Sequence, residues 1–354
     1  MPYKPLRKVA LVGCGRIANK RHAPLLISGE VKGAYLGAVC DTDIEKGLTM
    51  SHHCDVPYYN SFHTMMRYEN PDIISVLTPS GLHGRHIKQL LEYGKPLIIE
   101  KPLTLVYSEA EEVMRLAKES GVPLFVVKQN RFNPPVVHLK NAVDEGRFGD
   151  IVVATVTVRW CRYPEYYQDW HGTWEMAGGV LANQAIHHID LLTWLLGQPY
   201  SVFAYASDDG SIEVEDTLLG VLRYPNGALA SIELTAATRP KDLEGSITIQ
   251  GTKGVVKVGG FAVNEMSLWE FDKPKPEDEE IRKTIENPPN IYGYGHKAFY
   301  EHVLDCLDND TQTPIDGRTS LRVVTALYQS VETGGEVFMD EDPFSERLGV
   351  ASER

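Results

Sequence analysis

KVALVGCGRIA, residues 8–18, is the stretch from which the rest of the chain can be organised. Residues 8–12 form a short apolar run that stops at a glycine, the pattern of a buried parallel strand followed by a tight turn. Gly13-x-Gly15-x-x-Ala18 then opens a helix. The first glycine permits the turn, the second lets a pyrophosphate approach the backbone, and Ala18 allows close helix packing. Alone, the pattern reads equally well as a plain strand-to-helix turn. Asp41 supplies the missing half: it stands directly after the next apolar run, at 35–40, where a carboxylate accepts hydrogen bonds from adenosine ribose hydroxyls. The same carboxylate repels the extra phosphate of NADP, and neighbouring Thr42 and Asp43 offer that phosphate no arginine, so the residues predict NAD.

Working outward, apolar runs at 73–78, 97–99 and 124–127 alternate with helix-length segments such as HGRHIKQLLEYG and SEAEEVMRLAKESG. That alternation predicts a doubly wound parallel sheet, an α/β Rossmann domain over residues 1–127, with Pro24 interrupting its first helix. Beyond 128 the texture changes to long or alternating runs (IVVATVTVRW, TLLGVLRY, ALASIELTAA), with turns at Pro225-Asn226-Gly227 and Thr252-Lys253-Gly254. Helical patterns lie at NQAIHHIDLLTWLLG, HKAFYEHVLDCL and SLRVVTALYQSVETG. Residues 128–354 therefore read as an α+β domain built on a large, mostly antiparallel open sheet, with no internal repeat.

The 354 residues suit two domains, and a net charge of -13 without a Lys/Arg-rich run argues against nucleic acid as a partner. Five scattered cysteines (14, 40, 54, 161 and 306) form no Cys-x-x-Cys pair, so neither a disulfide framework nor a zinc ribbon is expected, and a reducing cytoplasm fits. The opening MPYKPLRKVALVG is too short in its apolar part for a signal sequence or membrane span, so no membrane association is expected either.

Several residues at the carboxyl edge of the expected sheet can carry chemistry. Thr78-Pro79-Ser80 line that edge, with His83 close by or in an exposed loop. The run PLIIE delivers Glu100-Lys101-Pro102 to the same edge, where the Lys101 ammonium can hydrogen-bond a substrate oxygen and stabilise alkoxide character. In the second half Asn183 and His187 are i and i+4 on one helix face, and Gln184 and His188 form the adjacent pair. Either histidine suits a general base near neutral pH. Metal binding by His187-His188-x-Asp190 is not expected, because adjacent helical residues diverge by about 100°. His52-His53-Cys54 reads as a surface loop, and no metal site is predicted.

GCGRIA, Thr78-Pro79-Ser80, Glu100-Lys101-Pro102, KQNRFNP (128–134) and AIHHIDLLTWLLG together resemble the Gfo/Idh/MocA oxidoreductases across nearly the whole chain. VVKQNRFN, WHGTWEMAGGVLANQAIHHIDLL, EVEDT, KDLEGSITIQGTKG, VGGFAVNE and YGYGH are closer still to a branch of that family, the UDP-N-acetylglucosaminuronate 3-dehydrogenases of the WlbA/WbpB type. The resemblance implies NAD-dependent oxidation of the carbon-3 hydroxyl of a nucleotide sugar, in the biosynthesis of lipopolysaccharide diacetamido-uronic acids. It also implies a second domain that binds substrate and mediates oligomerisation, with a homotetramer favoured. It selects Lys101 and His187, rather than His188, as the catalytic pair. Cofactor contacts are implied for Gly13, Gly15, Arg16, Ile17, Asp41, Thr78, Pro79, Ser80, His83, Glu100, Lys101, Gln129 and Trp170, and substrate contacts for Lys101, Arg131, Tyr163, Asn183 and His187. Asn183 stands where many members carry Asp, which disfavours inositol as substrate, and His171 stands where related enzymes often carry Arg. Two other readings are another sugar or cyclitol dehydrogenase of the family and a non-catalytic NAD-sensing regulator.

Overall fold

A computed structural model describes residues 6–208, 210–286, 288, 291–309 and 315–351. The chain divides into two compact units. The first comprises residues 1–104, 108–127 and 296–317; the second comprises 105–107, 128–295 and 318–354. Residues 105–107 belong to the second unit and 296–317 return to the first, so neither unit is contiguous in sequence.

The first unit is built on a six-stranded parallel sheet, ordered β3-β2-β1-β4-β5-β6. Its strands are β1 Arg7–Val12, β2 Ala34–Cys40, β3 Tyr58–Tyr59, β4 Ile73–Val76, β5 Leu97–Ile99 and β6 Leu124–Val126. The last four residues of β1 and all of β4, β5 and β6 are buried, as expected of strands covered on both faces. Strand order reverses between β1 and its neighbours β2 and β4, and the crevice outside their carboxyl ends is where ligands bind in open α/β sheets. The returning segment finishes the far edge, where Val126 donates its amide to the Ile315 carbonyl at 3.3 Å. The helix after β1 opens as a π-turn, Ala18–His22, and runs into Ala23–Ile27, so Pro24 starts a helix here rather than interrupting one. His52-His53-Cys54 is the last turn of the helix Ile44–Cys54, not a loop; Asp43 caps that helix by accepting from the Glu45 and Lys46 amides.

The second unit carries an eight-stranded sheet, ordered β13-β12-β11-β7-β10-β9-β8-β14. Its strands are β7 Ile151–Arg159, β8 Ser201–Ser207, β9 Thr217–Arg223, β10 Leu229–Thr235, β11 Glu244–Gly251, β12 Gly254–Gly259, β13 Glu265–Phe271 and β14 Val337–Phe338. The expected hairpins at 225–227 and 252–254 join β9 to β10 and β11 to β12, and every pairing is antiparallel except β7 with β10. Alternation decides the buried face: Ala154, Val156 and Val158 of β7 lie in register with Ala230, Ile232 and Leu234 of β10, and all six belong to one hydrophobic core. Ile189 and Leu192 of the helix Ile186–Leu196, and Val324 and Leu327 of the helix Arg318–Thr333, complete that core. Elsewhere on the sheet Tyr205, Leu219, Val221 and Leu229 remain exposed. Among the described residues no helix is long and apolar enough to cross a membrane, and none of the five cysteines is in a disulfide.

Candidate active site

The two glycines of the first turn are required for different reasons. Gly13 has φ +106°, and a Cβ there would stand 2.7 Å from the Leu77 carbonyl group, so the close approach of the chain after β4 demands glycine. Gly15 lies outside the left-handed region, and a Cβ there would meet nothing within 4 Å. Neither backbone strain nor packing within the chain requires glycine at 15; the open space above it is what a pyrophosphate needs. Arg16 is exposed and Ile17 half-buried at the start of the helix. At the end of β2, Asp41 accepts from the Cys14 amide at 2.7 Å and from the Asp43 amide at 2.8 Å, which ties the carboxylate to the glycine turn. Lys46, the nearest cation along the chain, pairs with Asp43. Burial, reinforced by Asp41, pushes the Cys14 thiol up to about 12, so it is an inert neutral group. This arrangement fits NAD: a glycine cradle, a ribose acceptor, and no arginine within the turn after β2 for an added phosphate.

At the ends of β4 and β5 two side chains turn inward. His83 is not in an exposed loop: it is buried, with Nδ1 2.7 Å from the Pro102 carbonyl and Nε2 2.9 Å from the Thr78 carbonyl. Burial lowers its pKa, against the pull of those two carbonyls. It straps the Thr78-Pro79-Ser80 edge to the end of β5. Thr78 and Pro79 are half-buried there, Ser80 is buried, and the Thr78 hydroxyl lies 3.0 Å from His86 Nδ1. Glu100 likewise turns inward. Its Oε2 accepts from the Lys101 amide at 3.1 Å, and its Oε1 lies 3.1 Å from His22 Nε2. Burial alone would raise this carboxyl; the His22 and His296 interactions overcome that and hold it well below the usual range. Lys101 itself is half-buried. His22, His296 and Tyr300 were given no role from sequence, although the run YGYGH containing His296 was among the matched segments.

In the second unit, the helix that carries the candidate base starts irregularly. Val180–Ala185 is a π-helix that passes into the α-helix Ile186–Leu196, so Asn183 and His187 straddle a change of pitch instead of sharing a regular α-helical face. Asn183 donates to the Tyr166 hydroxyl at 3.4 Å. His187 is half-buried, whereas His188 is fully buried against Trp160, and burial brings its pKa down to about 4. Of the two histidines, only His187 is partly open to solvent. One turn onward Asp190 is buried and accepts from Arg131 at 2.7 and 2.8 Å, with the Lys128 ammonium 3.3 Å away. Burial would raise this carboxyl, but the two cations keep it low.

Arg131, expected to meet the substrate, thus commits Nε and Nη2 to Asp190 and lays its guanidinium over Trp194. Gln129, beside it, is buried. Arg159 pairs with Glu233 and Glu244, and Arg162 with Asp242. Arg239 has no carboxylate partner among the described residues: it donates to the Ala236 and Thr238 carbonyls and stacks 4.7 Å over the exposed Tyr163 ring. Trp170 stacks on His171 at 3.8 Å, and the His171 ring is held by Asp169. Sequence reasoning also missed Glu215. It is buried, with Oε1 accepting from the Leu181 amide and the Tyr328 hydroxyl, and so anchors the start of the helix bearing Asn183 and His187.

A Rossmann unit with a cradle for a dinucleotide, and a second unit with a large sheet and a helix-borne histidine, define a two-domain nicotinamide-type oxidoreductase. Residues 7–128 match the model of the NAD-binding Rossmann fold of the Gfo/Idh/MocA oxidoreductases, and residues 140–339 match that of their C-terminal alpha/beta domain. The chain belongs to this family. It is similar to the WlbA dehydrogenase of Bordetella pertussis, solved with NADH and UDP-GlcNAcA, at 38% identity over 96% of this chain and 98% of that one, with a TM-score of 0.86. The WlbA enzyme of Chromobacterium violaceum, solved with the same two molecules, gives 39% identity over 96% and 97%, with a TM-score of 0.87. The D-glucoside 3-dehydrogenase of Escherichia coli is 27% identical over 95% of this chain and 98% of its own.

Proposed function

We propose that this enzyme oxidises the carbon-3 hydroxyl of UDP-N-acetyl-D-glucosaminuronate to the 3-keto sugar, with NAD as the acceptor. The observation that carries the reading is the full-length likeness, at 38% and 39% identity, to two dehydrogenases solved with NADH and UDP-GlcNAcA. The Asp41 carboxylate, followed by Thr42 and Asp43 rather than by an arginine that could take an added phosphate, supports NAD over NADP.

NAD supplies the two-electron oxidising chemistry and is held by Gly13, Gly15 and Asp41, with the Thr78-Pro79-Ser80 edge beside it. Lys101 donates from its ammonium to the sugar oxygen and stabilises the negative charge that grows there. His187 takes the hydroxyl proton on a ring nitrogen; an imidazole has the right basicity for this near neutral pH. Asn183, a neutral amide, orients the sugar without competing for the proton. The substrate's diphosphate and carboxylate call for cationic donors. Arg239, stacked on Tyr163 and without a carboxylate partner, meets that requirement better than Arg131.

Purified enzyme, NAD and UDP-N-acetylglucosaminuronate should give NADH absorbance and a 3-keto product by mass spectrometry, with NADH recycled or the keto sugar drained where equilibrium limits the yield. No product in either regime, alongside turnover of a free sugar or cyclitol, would reassign the substrate within the family. No turnover of any alcohol while NAD still binds would favour a sensing role. Lys101→Met and His187→Asn should each abolish turnover and leave NAD binding intact.

A further inference from the structure

The residue argued to stabilise the substrate oxygen is gripped on both sides by buried histidines, and nothing in the reaction as derived uses them. On the N-terminal side, the Lys101 amide donates to Glu100 Oε2 at 3.1 Å, and Glu100 Oε1 lies 3.1 Å from His22 Nε2. The Tyr300 hydroxyl is 2.7 Å from His22 Nδ1, and His296 Nε2 stands 3.8 Å from the same Glu100 oxygen. With its proton on Nε2, His22 donates to Glu100 and accepts from Tyr300, which satisfies both contacts. On the C-terminal side, His83 Nδ1 lies 2.7 Å from the Pro102 carbonyl.

Stability does not account for this arrangement. Removing a carboxylate and two imidazoles from water costs several kcal/mol, and an apolar cluster of equal volume would fill the same space as well or better. Direction does account for it. The Lys101 ammonium sits roughly 6 Å from its own Cα, so a tilt of about 10–20° in the backbone at 101 displaces the charge by about 1–2 Å, enough to cost on the order of a hundredfold in rate. We propose that Glu100 and His22 are positioning residues: the Tyr300–His22–Glu100 chain fixes the peptide group of Lys101 and so aims its ammonium at the substrate oxygen. This rests on the assignment of Lys101 as a catalytic residue.

The ligand atoms of His22, Glu100 and His296 lie within 4.8 Å of one another, which a divalent ion would also require. The direct 3.1 Å contact, however, is a hydrogen-bond length between two groups that satisfy each other.

The two amide replacements of His22 separate positioning from simple support, because glutamine places its amide nitrogen near the Nε2 position and asparagine near Nδ1. His22→Gln, which keeps a donor to Glu100, should hold kcat within about threefold of wild type. His22→Asn and Glu100→Gln should lower kcat ten- to a hundredfold, with KM for NAD, NAD affinity by protein fluorescence and the thermal midpoint little changed. Wild-type kcat in both His22→Asn and Glu100→Gln, with Lys101→Met inactive, overturns this inference alone. Wild-type turnover in Lys101→Met overturns the catalytic assignment and this inference with it. Parallel loss of kcat, NAD affinity and thermal midpoint in His22→Gln and His22→Asn would reduce the cluster to structural support and overturn it too. So would activity that chelation removes and zinc alone restores.

Discussion

Glu215 offers the sharpest test of the second unit's energetics. Burial raises this carboxyl from 4.5 to about 7, with Asp216 adding to the rise and the Leu181 amide and Tyr328 hydroxyl opposing it. The folded state prefers the protonated acid, whereas the unfolded chain ionises near 4.5. The stabilisation is therefore whole below about pH 4.5 and is lost as pH rises through 7. At 1.36 kcal/mol per unit, the difference amounts to about 3 kcal/mol. Glu215→Gln copies the protonated acid: Oε1 still accepts from Leu181 and Tyr328, and no ionisation follows. All five tryptophans (160, 170, 174, 194 and 269) lie in the second unit, and Trp174 packs edge-on to Tyr328, so tryptophan fluorescence in urea reports this unit's unfolding. The variant should gain on wild type by less than about 1 kcal/mol at pH 5 and by about 3 kcal/mol at pH 8.5. Two stability curves that stay parallel across that range would refute the reasoning, since every other titrating group is common to both proteins.

Arg131→Ala leaves Asp190 buried with Lys128 as its remaining cation, and should lower urea stability of the second unit by about 3–5 kcal/mol; an unchanged midpoint with a raised substrate KM would return Arg131 to the substrate. Gly13→Ala forces a Cβ against the Leu77 carbonyl at φ +106° and should destabilise the first unit by at least ~2 kcal/mol in calorimetry. Gly15→Ala should instead leave the calorimetric midpoint unchanged and weaken NAD at least tenfold by titration calorimetry; equal effects of the two alanines on stability would dismiss the separate roles given to these glycines. At pH 8 the Cys14 thiol should resist iodoacetamide in the native protein and react only in denaturant, as expected of a group pushed up to about 12.

The glycine turn and Asp41 were legible because their chemistry is local: a strand, two glycines and a carboxylate after the next strand define the cradle without long-range information. Most strands of the first sheet, and β7, β9 and β10 of the second with the hairpin turn between β11 and β12, were legible for the same reason; β3 and β14, of two residues each, carry no pattern of their own, and β8 and β13 were not read from sequence. What sequence could not supply were partnerships across distance. Arg131 and Asp190 are 59 positions apart, and nothing local to KQNR distinguishes an arginine that meets a phosphate from one that locks a buried aspartate. His83 read as a loop residue because its two carbonyl partners belong to chain segments on either side of it. The π-turn at 180–185 was missed because its apolar spacing is close to that of an α-helix, and the anchor that stabilises its start, Glu215, comes thirty-four residues after Leu181.

The return of 296–317 to the first unit sets a timetable for biogenesis. A nascent chain that has emerged only to residue 127 contains every strand of the nucleotide-binding sheet, yet Glu100 then lacks His296, His22 lacks the Tyr300 hydroxyl, and the edge of β6 lacks the Ile315 carbonyl. The unit translated first is consequently the one that matures late, waiting for a helix made after the whole of the large sheet but its last short strand. A chain that stops before that helix leaves Glu100 without the His296 interaction that helps hold its carboxyl low, so burial weighs more heavily against its ionised form.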